Sequence, residues 1–151
     1  MPLHGRQYHQ GRYKVVNPQK YVGDPENVIY RSSWELKFLK WCDQNSSVIQ
    51  FGSEECIIPY IHPVDGRIHR YFVDFFIKVR TKSGEVKKFL VEIKPKKYTQ
   101  PPKVPKRKTQ NYLEEQIQYA VNQSKWKTAK AFCSKHSMEF IILTEDDLGI
   151  R

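Results

Sequence analysis

Arg70-Tyr71-Phe72-Val73-Asp74-Phe75-Phe76-Ile77-Lys78-Val79 and, beyond a turn at Lys82-Ser83-Gly84-Glu85, Phe89-Leu90-Val91-Glu92-Ile93-Lys94 decide how this chain is read. Both runs have the alternation and the β-branched and aromatic content of strands, and the turn residues between them point to a hairpin. Alternate side chains of a strand share a face, so Leu90, Glu92 and Lys94 project one way while Phe89, Val91 and Ile93 project the other. On the first strand, read over 69–80, Tyr71, Val73, Phe75, Ile77 and Val79 make one apolar face. Asp74 falls on the opposite side with Arg70, Phe72, Phe76 and Lys78. Pairing the two strands brings Asp74 beside Glu92. Two carboxylates and an ammonium in one space suit a hard divalent cation such as Mg2+, which takes one or two protein carboxylates and fills its other positions with water and phosphate oxygens. Lys94 there can orient an attacking water or neutralise charge on a phosphate. The competing reading of Glu92 and Lys94 is a solvated strand face. The apolar residues flanking them, with an Asp at matching depth on the neighbouring strand, favour a metal-dependent phosphodiesterase centre.

Working outward, 151 residues suit one domain that buries its core without staples. A formal net charge of +10 and a pI near 9.5 point to a polyanionic partner. No apolar run approaches the roughly 20 residues that span a bilayer, and the polar, basic N-terminal stretch does not read as a signal peptide, so no membrane role is expected. Cys42, Cys56 and Cys133 are widely spaced, which fits a reducing compartment better than a disulfide framework. A zinc site from Cys42, Cys56, His62 and His69 lacks the short ligand spacings that anchor such sites and is set aside.

Residues 1–26 interleave Arg6, Arg12, Lys14 and Lys20 with Tyr8, Tyr13 and Tyr21 and read as a basic N-terminal arm, following a phosphate backbone or loosely packed. Residues 27–151 read as a single domain. Its first helix begins after Ser32 and ends near Asp43 or Asn45, with Trp34, Phe38 and Trp41 as the buried stripe. Glu35 on this helix reads either as the capping-box partner of Ser32 or as a metal ligand. Strands follow at 48–55 and 56–60, then a turn at His62-Pro63-Val64-Asp65-Gly66 in which Asp65 is a turn residue. Pro95 ends the second quoted strand. The acid-free, proline-rich loop 95–108 carries Lys96, Lys97, Lys103, Lys106, Arg107 and Lys108, and we read it as a DNA clamp over the site rather than a solvated linker. A helix over 111–135 has Leu113, Ile117, Ala120, Val121, Trp126 and Phe132 as apolar contributors, with a break or kink near Asn122-Gln123-Ser124. A short strand at 140–143 precedes Thr144-Glu145-Asp146-Asp147, which reads as a helix start rather than a metal site. The elements sum to an α/β sandwich, a mixed β-sheet flanked by helices.

Glu35, Asp74 and Glu92-Ile93-Lys94, in that order, resemble the PD-(D/E)xK nuclease superfamily with its restriction-endonuclease-like fold, over about residues 32–143. The resemblance implies a centre in which Asp74, Glu92 and the Ile93 carbonyl ligate Mg2+, with Mn2+ as a substitute. Glu35 would bind directly or through water, Lys94 would position the nucleophile, and the products would be 5′-phosphate and 3′-hydroxyl ends. Val73 stands where the pattern often has Pro, at a position that does not touch the metal. A nearer match comes from Asn17-Pro18-Gln19-Lys20-Tyr21, Tyr30-Arg31-Ser32-Ser33-Trp34-Glu35, Ile58-Pro59-Tyr60, Asp65-Gly66-Arg67, His69-Arg70-Tyr71-Phe72 and Val91-Glu92-Ile93-Lys94-Pro95. These motifs resemble the head-completion nucleases of T-even bacteriophages and, in the core, the endonuclease subunit of Tn7-type transposases.

That resemblance implies a Mg2+-dependent DNA endonuclease or end-trimming nuclease acting on packaged phage DNA during head completion. It implies double-stranded DNA as partner, contacted by Arg31 and Ser32 as well as by the basic loop. Portal or neck proteins and other head-completion proteins are further expected partners, in the host cytoplasm or within the virion. The rival readings are a non-catalytic DNA clamp or plug at the head portal, which needs no divalent cation, and a cellular repair or transposition nuclease.

Overall fold

A computed structural model describes residues 10–150. The hairpin read from the sequence lies at the centre of a four-stranded mixed sheet in the order β3 (Val48–Ser53), β6 (Phe75–Arg80), β7 (Val86–Ile93), β8 (Glu139–Leu143). β6 runs antiparallel to β3 and β7, and β8 runs parallel to β7. A parallel neighbour requires a long crossover, which α2 (Gln110–Lys135) supplies on one face of the sheet. The other face is covered by α1 (Ser33–Gln44), whose Phe38, Leu39 and Cys42 pack with Phe51, Phe75, Ile77, Val91 and Ile93. On the α2 face Tyr71, Val73 and Leu90 pack with Val121, Trp126, Ala129 and Cys133. Helices on both faces of a mixed sheet make the α/β sandwich expected from the sequence.

The expected strand 69–80 is two strands. β5 (Ile68–Phe72) pairs with β4 (Ile57–Ile61) in a separate antiparallel ribbon, and the chain then crosses into the main sheet as β6. At the crossing Val73 N–H donates to the Cys56 carbonyl at 3.0 Å and Glu54 N–H donates to the Asp74 carbonyl at 3.0 Å. The single apolar face expected along this strand is therefore split. Tyr71 and Val73 enter the α2-side core, whereas Phe75 and Ile77 enter the α1-side core.

Helix faces also differ from the sequence pattern. Trp41 is 47% exposed and stacks on Phe38, while Leu39 and Cys42 are fully buried in its place. The reason is a third layer that the sequence reading assigned to an arm. β1 (Gly11–Tyr13) pairs antiparallel with β2 (Val28–Tyr30), and Tyr13, Val15, Tyr21 and Val28 join the core beneath α1. Asp43, 1% exposed, fastens this layer. It accepts hydrogen bonds from the Tyr13 hydroxyl (2.6 Å), the Val16 N–H (2.7 Å), the Asn17 N–H (3.0 Å) and the Asn17 side-chain amide (3.2 Å). The Lys20 ammonium donates to the carbonyls of Cys42, Asp43 and Asn45, closing the negative end of the helix dipole. Lys20 is thus committed to the fold and not to a phosphate backbone. The arm reading fails from Gln10 onward; Arg6 and Tyr8 lie outside the described residues.

α2 runs unbroken through Asn122-Gln123-Ser124. Asn122 is buried and accepts from Gln118 at 3.0 Å, so its side chain does not compete for the helix backbone. Leu113 and Ile117 are exposed because α2 packs on the sheet through Val121, Trp126, Ala129 and Cys133, from its middle onward, and the loop meets the first half on another face. Among the described residues no helix is long and apolar enough to cross a membrane.

Candidate active site

Phe75 pairs with Val91 in the β6–β7 register, which sets Asp74 across from Glu92 where the two strands leave the sheet. Asp74 is held by the Ile93 N–H, which donates to its Oδ2 at 2.8 Å. Glu92 is 6% exposed and held on both oxygens. Tyr71 donates its hydroxyl to Glu92 Oε1 at 2.5 Å, and Lys94 Nζ lies 3.4 Å from Oε2. Burial and the charge of Glu92 raise the Tyr71 phenol far above its ordinary range, so it stays a donor at neutral pH. The three residues that the strand alternation selected are brought together as expected.

Glu35 reaches the same cluster from α1. Ser32 Oγ accepts the Glu35 N–H at 3.1 Å, as a cap should, but the Glu35 carboxylate accepts from the Arg31 N–H at 3.2 Å rather than returning to Ser32. The capping box expected between Ser32 and Glu35 is thus only half formed: Ser32 caps the helix, and the Glu35 carboxylate stands within electrostatic reach of Asp74 and Glu92. Burial raises the Glu35 carboxyl above its ordinary value, against the pull of the Arg31 N–H. Glu54 and Glu92 raise it further, while Arg31 lowers it. Asp74 is pushed well above the usual aspartate range by burial, then by Glu92 and Glu35, with the Ile93 N–H and Lys94 pulling the other way. Asp74, Glu92 and Glu35 stand within electrostatic reach of one another and bring three carboxylates to one end of the sheet. A hard divalent cation fits them on charge and on oxygen chemistry alike.

Three further residues bear on this cluster without having stood out in the sequence. Tyr71 was hidden because its parity placed it with the apolar residues of a single long strand. Glu54 has a left-handed backbone (φ 55°) at the strand crossing and pairs with Arg31 through two contacts at 3.1 and 3.3 Å. Its one available signal was its position just before the β4 strand. Lys125, on α2, is within electrostatic reach of Glu92, Lys94 and Asp74, and no sequence pattern distinguishes it from other helix lysines.

The residues expected to contact DNA are dispersed. Arg31 is engaged with Glu54, and Ser32 Oγ is occupied as the cap. Lys96 is tied to α3 (Glu145–Leu148) by its N–H to Glu145 (2.7 Å) and its ammonium to Asp146 (3.2 Å). Lys97 lies over the Tyr98 ring, inside a 3-10 turn (Lys96–Thr99) that the sequence reading did not anticipate. Lys103, Lys106, Arg107 and Lys108 are exposed. Loop and helix line a cavity of about 900 Å3 with Lys97, Lys103, Gln118 and Asn122 among others, and none of Glu35, Asp74, Glu92 or Lys94 lines it. Glu145, Asp146 and Asp147 form the first turn of α3 under a Thr144 capping box, as read. Asp65 is the turn residue expected, accepting from the Arg67 N–H at 2.8 Å and lying 2.8 Å from His69 Nε2. His62, Asp65 and His69 offer donor atoms within 4.8 Å of one another, whereas Cys42 sits in the α1-side core, apart from this group.

With the geometry in hand, comparison with known proteins is direct. Residues 45–145 match the family model of the TnsA-like endonuclease N-terminal domain. The chain is 41% identical over 144 residues to the head completion nuclease of Enterobacteria phage T4, with 93% of each protein covered. Both agree with the resemblance read from the motifs. Asp74, Glu92 and Lys94 lie within the matched region, and the chain belongs to the TnsA-like endonuclease family, a nuclease with the restriction-endonuclease-like fold.

Proposed function

We propose that this nuclease hydrolyses DNA phosphodiesters with Mg2+ held by Asp74, Glu92, the Ile93 carbonyl and Glu35, and that its substrate is packaged phage DNA at head completion. The observation that carries the site is Glu92, buried and fixed by Tyr71 and Lys94 opposite Asp74. The setting is supported by the name and the 41% identity of the phage T4 relative. On the same ground, the portal or neck and other head-completion proteins are proposed partners, and the host cytoplasm the place of action.

In the reaction a water oxygen forms a bond to phosphorus and the bond from phosphorus to the 3′ oxygen breaks. The departing oxygen gains a proton, leaving 5′-phosphate and 3′-hydroxyl ends. Lys94 reaches the reacting phosphate from the strand end and orients the water, while Tyr71 keeps Glu92 from rotating away. A cation held by Asp74, Glu92 and Glu35 would supply Lewis-acid charge at the phosphate and ease deprotonation of water. Glu35 is held by its cap, so its carboxylate enters the site preorganised.

Incubating linear and covalently closed duplex DNA with the protein in Mg2+, in Mn2+ and in EDTA tests this. Cleavage in either metal and none in EDTA is expected, and the linear-to-circular comparison reports whether an end is required. Tight binding without cleavage in any metal would instead establish a clamp. A second expectation concerns the loop. Replacing Lys103, Lys106, Arg107 and Lys108 together by alanine should weaken DNA binding and lower the slope of log affinity against log salt by up to about 3.6. An unchanged slope would show that the exposed loop charges do not follow the phosphates.

A further inference from the structure

Lys125 projects from the middle of α2 with its ammonium 5.5 Å from the ring centre of Tyr71 and 5.7 Å from that of Tyr60. Its neighbours fix it in place. Ser124 Oγ donates to the Ile61 carbonyl of the ribbon at 2.7 Å, and Trp126 is buried in the α2-side core. Tyr71, one of the two rings beneath the ammonium, is also the residue that clamps Glu92. Lys125 is therefore placed over the ring that clamps Glu92 and lies within electrostatic reach of Glu92, Lys94 and Asp74.

We propose that Lys125 is a phosphate-binding residue of this nuclease, donating to a non-bridging oxygen of the scissile phosphate opposite Lys94. The inference rests on the placement of the active site at Asp74, Glu92 and Lys94. An ammonium carries three N–H donors. Among the described residues those of Lys125 meet aromatic faces and no hydrogen-bond acceptor or ion-pair partner. A half-buried ammonium with its donors unused, beside a carboxylate cluster, is suited to an anion that arrives with the substrate. Lys94, by contrast, is already in contact with Glu92. Lys94 thus divides its donors between Glu92, the water and the phosphate, whereas Lys125 serves the phosphate alone.

The competing role is charge compensation, in which Lys125 merely offsets Glu92 and Asp74 until a cation binds. The two roles separate by experiment on the full chain. Single-turnover cleavage of linear duplex DNA at saturating Mg2+ and protein is measured for wild type, Lys125→Gln, Lys125→Arg and Lys94→Ala. Mn2+ binding without DNA and Ca2+-supported DNA binding are measured alongside. Phosphate binding predicts that Lys125→Gln slows cleavage about 100-fold, the loss typical of one transition-state donor. It also predicts Mn2+ affinity unchanged or tighter, and DNA affinity within a few-fold of wild type because contacts are spread over many phosphates. Lys125→Arg should retain most of the rate, and Lys125→Met serves if the glutamine variant does not fold. Charge compensation predicts tighter Mn2+ binding with a wild-type rate at saturating metal, and that outcome overturns the proposal. Wild-type cleavage by Lys125→Gln beside a silent Lys94→Ala refutes the phosphate role alone. Undiminished cleavage by Lys94→Ala removes both the site and this inference.

Discussion

Lys94→Ala is expected to cut single-turnover DNA cleavage by about 1000-fold, the upper end for a preorganised charge at a reacting phosphate, while DNA affinity changes only a few-fold. Lys94 follows the last residue of β7, and its N–H donates to the Leu143 carbonyl of β8 at 3.0 Å, so its backbone is fixed by the sheet. Its ammonium lies 3.4 Å from Glu92, so alanine removes the charge and also frees one oxygen of a buried carboxylate. Affinity is expected to persist because contacts proposed for the exposed loop lysines and arginine are spread over many phosphates and do not involve Lys94. Glu92→Ala should be equally inactive for a different reason. It removes the proposed cation ligand and leaves the Tyr71 hydroxyl without its acceptor. Cleavage by Glu92→Ala in Mg2+ at the wild-type rate would reject the assignment and leave the nuclease activity to another part of the surface.

The largest effect on stability is expected at Asp43. Alanine there leaves the Tyr13 hydroxyl, two backbone N–H groups and the Asn17 amide without their acceptor beneath α1. At roughly 1–3 kcal/mol for each unsatisfied buried group, less what relaxation and water recover, a loss of about 3–5 kcal/mol follows. For a domain of this size that lowers Tm by roughly 10–15 °C. Burial pushes the Asp43 carboxyl up, but the hydrogen bonds from Tyr13, Val16 and Asn17 together outweigh it and hold the pKa below the usual aspartate value. A depressed folded pKa means the stabilisation is complete above the unfolded aspartate pKa and is lost as pH falls through the folded value. Thermal unfolding of wild type and Asp43→Asn should therefore differ most near neutral pH and converge in acid. A gap that widened in acid would contradict this account.

How much of this was legible in the sequence depends on the range of the interaction. Asp74, Glu92 and Lys94 were readable because a two-residue period and a short turn fix their relation locally, and no distant packing alters it. Tyr71 was not, because the chain changes sheets between Phe72 and Phe75 and the face it shares changes with it. Asp43 looked like a polar residue near the end of a helix. Its importance comes from a segment far away in sequence that folds over it. Trp41, Leu113 and Ile117 fitted the helical period but face solvent, since periodicity reports a stripe and not how much of it a neighbour covers. Glu35 was ambiguous because a short-range cap and a long-range site draw on the same carboxylate; the carboxylate accepts from the Arg31 N–H rather than closing a capping box with Ser32, and lies within electrostatic reach of Asp74.

The ribbon of β4 and β5 is joined to the sheet through the Val73 to Cys56 and Glu54 to Asp74 backbone bonds, both at its root, while its turn at 62–67 points outward. Residues added or removed at that tip would lengthen or shorten the ribbon without shifting Asp74, since the pairing is set from the root. Evolution can therefore vary this projection almost independently of the chemistry. Among related nucleases, the tip is where differences in length should gather and the root where they should be rare.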